Sequence, residues 1–342
     1  MIKMKPGQIT IINEKEARGV LDMPTVLADV ETVLKEHAQG ESLNPIKLHL
    51  PFRPQIEGYM NSMPAYLKKY NLMGAKLVTC HRNNPKKYGY PNTMGTVVLE
   101  YPETGLPFAV VDGTSVTNIR TGAAAGVGAK WLAKKGAKVA LSVGAGAQGY
   151  TSAEAILTAC PQIEELRVAD PSEENRNKFI AGIAAQFPRV KLVPFADFKE
   201  AVPGAEIIAF ATNATEPLSR QIAAFDKGTV VLLVAEFIDN DDLLRFDRRV
   251  ADFPACFAER INQELVDRYE EFGTPYSEIL TETFQTTIGD VIAGNVPARE
   301  NDDEIVAVAM CGMGIEDLKV AKTAYDRVTA QGGGVTVDFI NV

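Results

Sequence analysis

The run Gly144-Ala145-Gly146-Ala147-Gln148-Gly149 sets three glycines at a spacing that suits the binding of a pyrophosphate. Spacing alone is weak evidence, because glycines are common in turns, but the surroundings fit. An apolar strand, Val139–Val143, precedes the glycines, a helix-compatible run, Thr151–Ala159, follows, and Asp170 ends a second strand. In such a unit Gly144 allows the tight turn out of the strand. Gly146 lets backbone approach the phosphates, and Gly149 lets the helix pack close to the strand. The helix start near Ala147 and Gln148 offers unpaired N–H groups and partial positive charge. Asp170 is placed to accept hydrogen bonds from the adenosine ribose. A carboxylate there repels a 2′-phosphate, which favours NAD over NADP.

Four charged residues are candidates for the chemistry. Lys76 sits in Gly74-Ala75-Lys76-Leu77-Val78-Thr79-Cys80, a short apolar strand. Lysine is depleted in strands, so it is either a snorkelling residue at a sheet edge or a functional amine. Lys47, in Ile46-Lys47-Leu48-His49-Leu50, shares a strand face with His49 and is open to the same two readings. Arg120 lies near the start of a helix rich in glycine and alanine. It can grip a carboxylate with two parallel hydrogen bonds, or be solvated. Glu236 follows the strand Val230–Ala235, at the end of an open α/β sheet where ligands bind; a plain surface acid is the alternative.

The elements around these residues fall into two kinds. Up to Asp112 the pattern is a helix, about Pro24–Ala38, with short strands at Gln8–Asn13, Ile46–Phe52, Gly58–Pro64, Gly74–Cys80, Gly95–Tyr101 and Phe108–Asp112. Turn residues punctuate them, which predicts a mostly antiparallel sheet. A helix over Thr114–Lys135 carries small residues that let another backbone approach, and Gly136 stops it. Strands and helices then alternate: strands at Lys138–Val143, Glu165–Ala169, Val190–Pro194, Glu206–Ala211, Thr229–Val234 and Arg249–Phe253, with helices at Gly149–Ala159, Ser172–Gln186 and Phe198–Val202. That alternation predicts a parallel sheet with helices on its faces. Residues 262–289 read as mixed, 302–329 as helical, and the tail from Gly332 to Val342 as glycine followed by a short strand.

Composition narrows the class. The 342 residues suggest two domains, and 46% are apolar, enough for one large core or two moderate ones. The net charge of −9 argues against a nucleic-acid binder, which needs a basic face for phosphates. Cys80, Cys160, Cys256 and Cys311 form no CxxC pair, and His37, His49 and His81 show no metal-ligand spacing. Reduced thiols and no metal site are expected. No signal peptide or membrane span is recognisable, so a cytoplasmic location is expected.

The stretch Val111-Asp-Gly-Thr-Ser-Val-Thr-Asn-Ile-Arg-Thr-Gly-Ala-Ala-Ala125, with the glycine motif about twenty residues beyond it, resembles the ornithine cyclodeaminase/μ-crystallin family. Ser62-Met63-Pro64, Gly74-Ala75-Lys76 and Gly289-Asp290-Val291-Ile292-Ala293-Gly294 fit the same pattern. Archaeal-type alanine dehydrogenases, ketimine reductases and related imino-acid reductases are members. The resemblance implies an α/β fold: a Rossmann NAD-binding domain over 121–314, and an α+β substrate and dimerisation domain built from 1–120 and 315–342, usually a homodimer through the N-terminal sheet. It implies that Lys76 is the active-site lysine and that Arg120 and Lys47 hold the substrate carboxylate. Met63 and Thr93 then line the substrate. Thr121, Gly144, Gly146, Ala147, Gln148, Asp170, Thr212 and Val234 serve the cofactor. Lys47 stands where many members have arginine, keeping the charge without the fork.

Three departures bear on the substrate. Glu236 stands where ornithine cyclodeaminases have an aspartate that handles the distal amine, and the following run, Phe237-Ile238-Asp239-Asn240-Asp241, lacks their Pro-Gly-Lys-like turn. Asn61 replaces an acid. Cys311-Gly312-Met313-Gly314 replaces a Ser-Val-Gly-like turn. The expectation is therefore hydride transfer between NAD(H) and the α-carbon of a small amino or imino acid, with Glu236 or a water, together with Lys76, moving protons. Ornithine cyclodeamination and non-catalytic binding of a small molecule are the alternatives.

Overall fold

The computed structural model describes residues 7–340 except 53–55, 57, 215, 216, 237 and 274, and not the side chains of 271 and 272. The basic N-terminus, Phe237 in the loop after Glu236, and the last two residues of the tail lie outside the described residues. The chain divides into two compact units, one of residues 1–120 with 313–342 and the other of residues 121–312.

The first unit is built on an eight-stranded sheet. Its strand order is Val335–Asp338, Gln8–Ile12, Pro107–Asp112, Thr93–Glu100, Leu72–Cys80, Tyr59–Leu67 and Ser42–Leu43, with Leu48–Pro51 also paired to Tyr59–Leu67. All pairs are antiparallel except Gln8–Ile12 with Pro107–Asp112. Two helices cover one face. Gly314–Ala330 lies on the four strands between 59 and 112, and Met23–Ala38 packs on that helix. The second of these starts where the Asp22 carboxylate accepts from the Thr25 N–H, with Pro24 in the first turn, and it buries Val26, Leu27, Val30, Val33 and Leu34. A further helix, Glu14–Val20, is nucleated by Asn13 and Glu16, which cap each other's backbone.

Register assigns each residue of this sheet to a face. Met63 is directly opposite Lys76, which is opposite Val97, which is opposite Val111, and that row is buried. The alternate rows carry Leu48, Leu50, Leu77, Ile11 and Val335, all more than 40% exposed. One face of the sheet is thus packed and the other is an open apolar surface, which is unusual for an isolated protein.

The second unit holds eight strands, every adjacent pair parallel. Their order is Lys191–Phe195, Glu165–Ala169, Val139–Val143, Ile207–Ala211, Val230–Ala235, Val306–Ala309, Arg248–Ala251 and Thr286–Thr287. The first five follow the Rossmann order, with the switch point between Val139–Val143 and Ile207–Ala211. Strand Val306–Ala309 overturns the expectation of a continuous helix over 302–329. It is buried on both faces in mid-sheet, so its Val-Ala-Val-Ala run shows no alternation. The region read as mixed begins instead inside a long helix, Pro254–Phe272, which ends at Gly273 in the left-handed region.

The small residues of helix Gly113–Leu132 have a definite use. A Cβ on Gly122 would stand 2.5 Å from the carbonyl carbon of Thr151 on helix Ala147–Ala159. Gly122→Val is expected to destabilise the protein by about 1–3 kcal/mol, since backbone cannot yield as a side-chain tip does. Urea unfolding of the variant with an unchanged midpoint would contradict this packing.

Candidate active site

Lys76 is not an edge lysine. It lies on an interior strand and is fully buried, as are Glu316 and Asp317 in the first turn of helix Gly314–Ala330. The Lys76 Nζ donates to Asp317 Oδ1 at 2.6 Å. Arg120 is buried rather than solvated: its Nε donates to the same oxygen at 2.8 Å, and its Nη1 donates to Glu316 Oε2 at 3.1 Å. Gly314 makes this reach possible, since a Cβ there would come within 2.9–3.0 Å of the Met63 and Pro64 carbonyl oxygens, so the helix start lies hard against the strand.

Lys47 is buried as well. The pairing of Leu48 with Ser62, continued by one residue, sets it across from Met63 and hence in the row of Lys76. Burial, then the charges of Arg120 and Lys47, push the Lys76 amine down to about 7, against the pull of Asp317. Next to this row Asn61 Oδ1 lies 2.7 Å from His49 Nδ1. Thr93 is half-buried at the start of its strand, paired with Cys80. On helix Gly113–Leu132 the hydroxyls of Ser115 and Thr117 are buried with no hydrogen-bond partner among the described residues. Buried polar atoms of that kind call for a ligand or a water.

The two carboxylates of this cluster escaped the sequence reading. Acids in the first turn of a helix are ordinary complements of its dipole, so Glu316 and Asp317 carry no local signal. Only the fold, which lays their helix over the strand of Lys76, reveals them.

In the second unit the glycine turn has the expected form. Gly144 has φ +105°, and a Cβ there would meet the Ala211 carbonyl. A Cβ on Gly149 would overlap the Gly144 carbonyl, whereas one on Gly146 would meet nothing within 4 Å. Gly146 is the N-cap of helix Ala147–Ala159 and is exposed with Ala147, and no side chain caps this helix start. The Asp170 carboxylate accepts from the Ala145 and Ser172 N–H groups, both at 2.9 Å, and so braces the turn. Gln148, Thr121, Thr212 and Val234 are half-buried. Thr212 and Val234 lie at the carboxyl ends of their strands, and Thr212 Oγ1 accepts from the Ala214 N–H at 3.1 Å.

Glu236 is 5% exposed, which excludes a plain surface acid. Its Oε1 accepts from the Ser219 N–H at 2.8 Å and from Ser219 Oγ at 3.0 Å. Burial raises its pKa to about 7 in spite of these bonds. Among the described residues no group of three or more His, Cys, Asp or Glu could hold a metal, none of the four cysteines is in a disulfide, and no helix is long and apolar enough to cross a membrane.

The Glu236 shift has a signed consequence for stability. Folding favours its protonated form, so this contribution is complete below the ordinary carboxylate range near 4.5 and is lost as the pH rises through about 7. Glu236→Gln keeps the acceptor oxygen and cannot ionise. It should be more stable than the parent by roughly 2 kcal/mol at pH 8 and equal to it near pH 4. Urea titrations at both pH values showing no such divergence would exclude a buried, proton-holding Glu236.

Comparison with known proteins agrees with this architecture. The chain is 28% identical to alanine dehydrogenase of Archaeoglobus fulgidus over 97% of its length and 99% of that protein. It is 30% identical to Δ1-pyrroline-2-carboxylate reductase of Bacillus cereus over 96% of its length and 99% of that protein. The solved structure of Thermococcus litoralis Δ1-pyrroline-2-carboxylate reductase with NADH and L-proline superposes with a TM-score of 0.83 at 26% identity, covering 96% of this chain and all of that one. The family model for ornithine cyclodeaminase/μ-crystallin matches residues 10–332, and the chain belongs to that family.

Proposed function

We propose that this protein is an NAD(H)-dependent enzyme that reduces the C=N bond of a small α-imino acid and, in reverse, oxidises the α-amino acid. The observation that carries this reading is the charge of the buried cluster. Lys47, Lys76 and Arg120, three buried cationic side chains, gather with Glu316 and Asp317 where water is excluded. A substrate carboxylate is the group that such a gathering of cations suits. Lys47 and Arg120 keep about 7% and 6% of their surface accessible and are the groups that meet the carboxylate. Lys76 is enclosed behind them.

The glycine turn fits a dinucleotide: Gly146 leaves open space beside an uncapped helix start, as a pyrophosphate requires. Gly144, Gly146, Ala147 and Gln148 would hold the phosphates, Asp170 the ribose, and Thr121, Thr212 and Val234 the rest of the cofactor. The Asp170 carboxylate makes NAD the better fit than NADP. When bound, the reduced nicotinamide supplies a hydride to the α-carbon. The chain supplies the rest. Arg120 and Lys47 fix the carboxylate and so the face of the imine presented. Lys76, poised near neutrality, is the store for the proton that the imine nitrogen takes up, with Glu236 the second group able to hold a proton at neutral pH. Relatives named as pyrroline-2-carboxylate reductases support a cyclic imino acid. The open apolar face of the first unit's sheet supports a homodimer.

Two experiments test this. Purified protein with NADH and Δ1-pyrroline-2-carboxylate should oxidise NADH and form proline in equal amounts, and Lys76→Met should lower kcat/KM by about a hundredfold or more. Formation of proline from ornithine without net change in NADH, or full activity in Lys76→Met, would overturn it. Sedimentation should show a dimer that Leu48→Glu with Leu77→Glu converts to monomer; an unaltered dimer would place the interface elsewhere.

A further inference from the structure

Resting on the reading of the lysine cluster given above, we propose that Asp317 is a positioning residue, which fixes the Lys76 amine on its strand and strengthens its hold on a proton. The geometry requires something of this kind. Lys76 has no access to water, so its charge must be balanced by neighbours or be given up. The charged groups facing it come from three places: Lys47 beside strand Leu48–Pro51, Arg120 on helix Gly113–Leu132, and Glu316 and Asp317 on helix Gly314–Ala330. Its partners across the sheet, Met63 and Val97, are apolar.

Of these groups the two cations oppose the ammonium. Glu316 accepts from the Arg120 Nη1, at 3.1 Å, and of the two carboxylates Asp317 is the one that accepts directly from Nζ. One Asp317 oxygen, Oδ1, takes both the Lys76 Nζ and the Arg120 Nε, while Oδ2 has no hydrogen-bond partner among the described residues. A carboxylate bound so lopsidedly is placed for its neighbours rather than for its own solvation. It also couples the two cations, since moving Arg120 toward a ligand alters the hold on Lys76. The Lys76 proton count is thereby tied to occupation of the carboxylate site.

The test reads Lys76 itself. Full-length protein labelled at lysine Cε is titrated by NMR, with the Lys76 signal assigned through Lys76→Arg. Asp317→Asn should move the Lys76 midpoint to lower pH by at least about one unit, a tenfold change in proton affinity, and Glu316→Gln should move it less. The pH profile of kcat/KM should shift in the same direction in Asp317→Asn. An unmoved midpoint, or a larger shift in Glu316→Gln than in Asp317→Asn, overturns the proposal. If Asp317→Asn does not fold, Asp317→Glu carries the test. It retains the charge but displaces it, so kcat should fall at least about tenfold with KM within threefold and the midpoint within half a unit, and an unchanged kcat overturns the proposal. The titration needs no turnover. A protein that reduces no imino acid yet shows the Asp317→Asn shift refutes the proposed function and leaves this assignment standing.

Discussion

The convergence of Lys76 and Arg120 on one oxygen of Asp317 is the constraint around which the first unit is arranged. Breaking a buried ion cluster by removing one member costs roughly 3–5 kcal/mol, and replacing it with apolar residues is often neutral or stabilising. Stability therefore does not explain why it is there. Much of the surrounding fold makes sense as what such a cluster needs. Lys76 stands on the helix-covered face of strand Leu72–Cys80, so water cannot reach Nζ. Gly314 brings its helix against the neighbouring strand, so a carboxylate one turn in can reach the amine. Helix Met23–Ala38 backs that helix from outside.

The second unit meets a different demand. A parallel sheet ends its strands together, and the residues that follow them collect at one edge. Gly144, Thr212 and Glu236 all occupy such positions. The glycines there differ: Gly144 and Gly149 leave out a Cβ because protein backbone is in the way, whereas a Cβ on Gly146 would meet open space. Glu236, buried and hydrogen-bonded to Ser219, holds its proton near neutral pH in a way an exposed acid could not.

The sequence was most legible where chemistry and local structure coincide. The glycine turn can be read directly because each glycine answers a separate steric need over a few residues. Lys76 and Arg120 could be picked out, but their burial could not, since a lysine in a strand is equally consistent with an edge. Glu316 and Asp317 were invisible because their partners are about 200 or more positions away and acids in a first helical turn are commonplace. Strand Val306–Ala309 was hidden by its own success: buried on both faces, it has no polar residue to mark a period. Helix Pro254–Phe272 has no side-chain cap at its start, but Pro254 at its first position and Gly273 at its end are boundary signals that the reading of 262–289 as mixed passed over.

The central claim of the proposed function is that the buried cations Lys47 and Arg120 select a substrate with a carboxylate. Calorimetric titration of the protein holding NADH, with L-proline and then with L-prolinamide, tests it most directly. The two ligands share a ring and a nitrogen and differ in the carboxylate. L-proline should bind and L-prolinamide should bind at least about a hundredfold more weakly, since charge-assisted hydrogen bonds to Arg120 and Lys47 would be lost. Equal affinity for the two would contradict it.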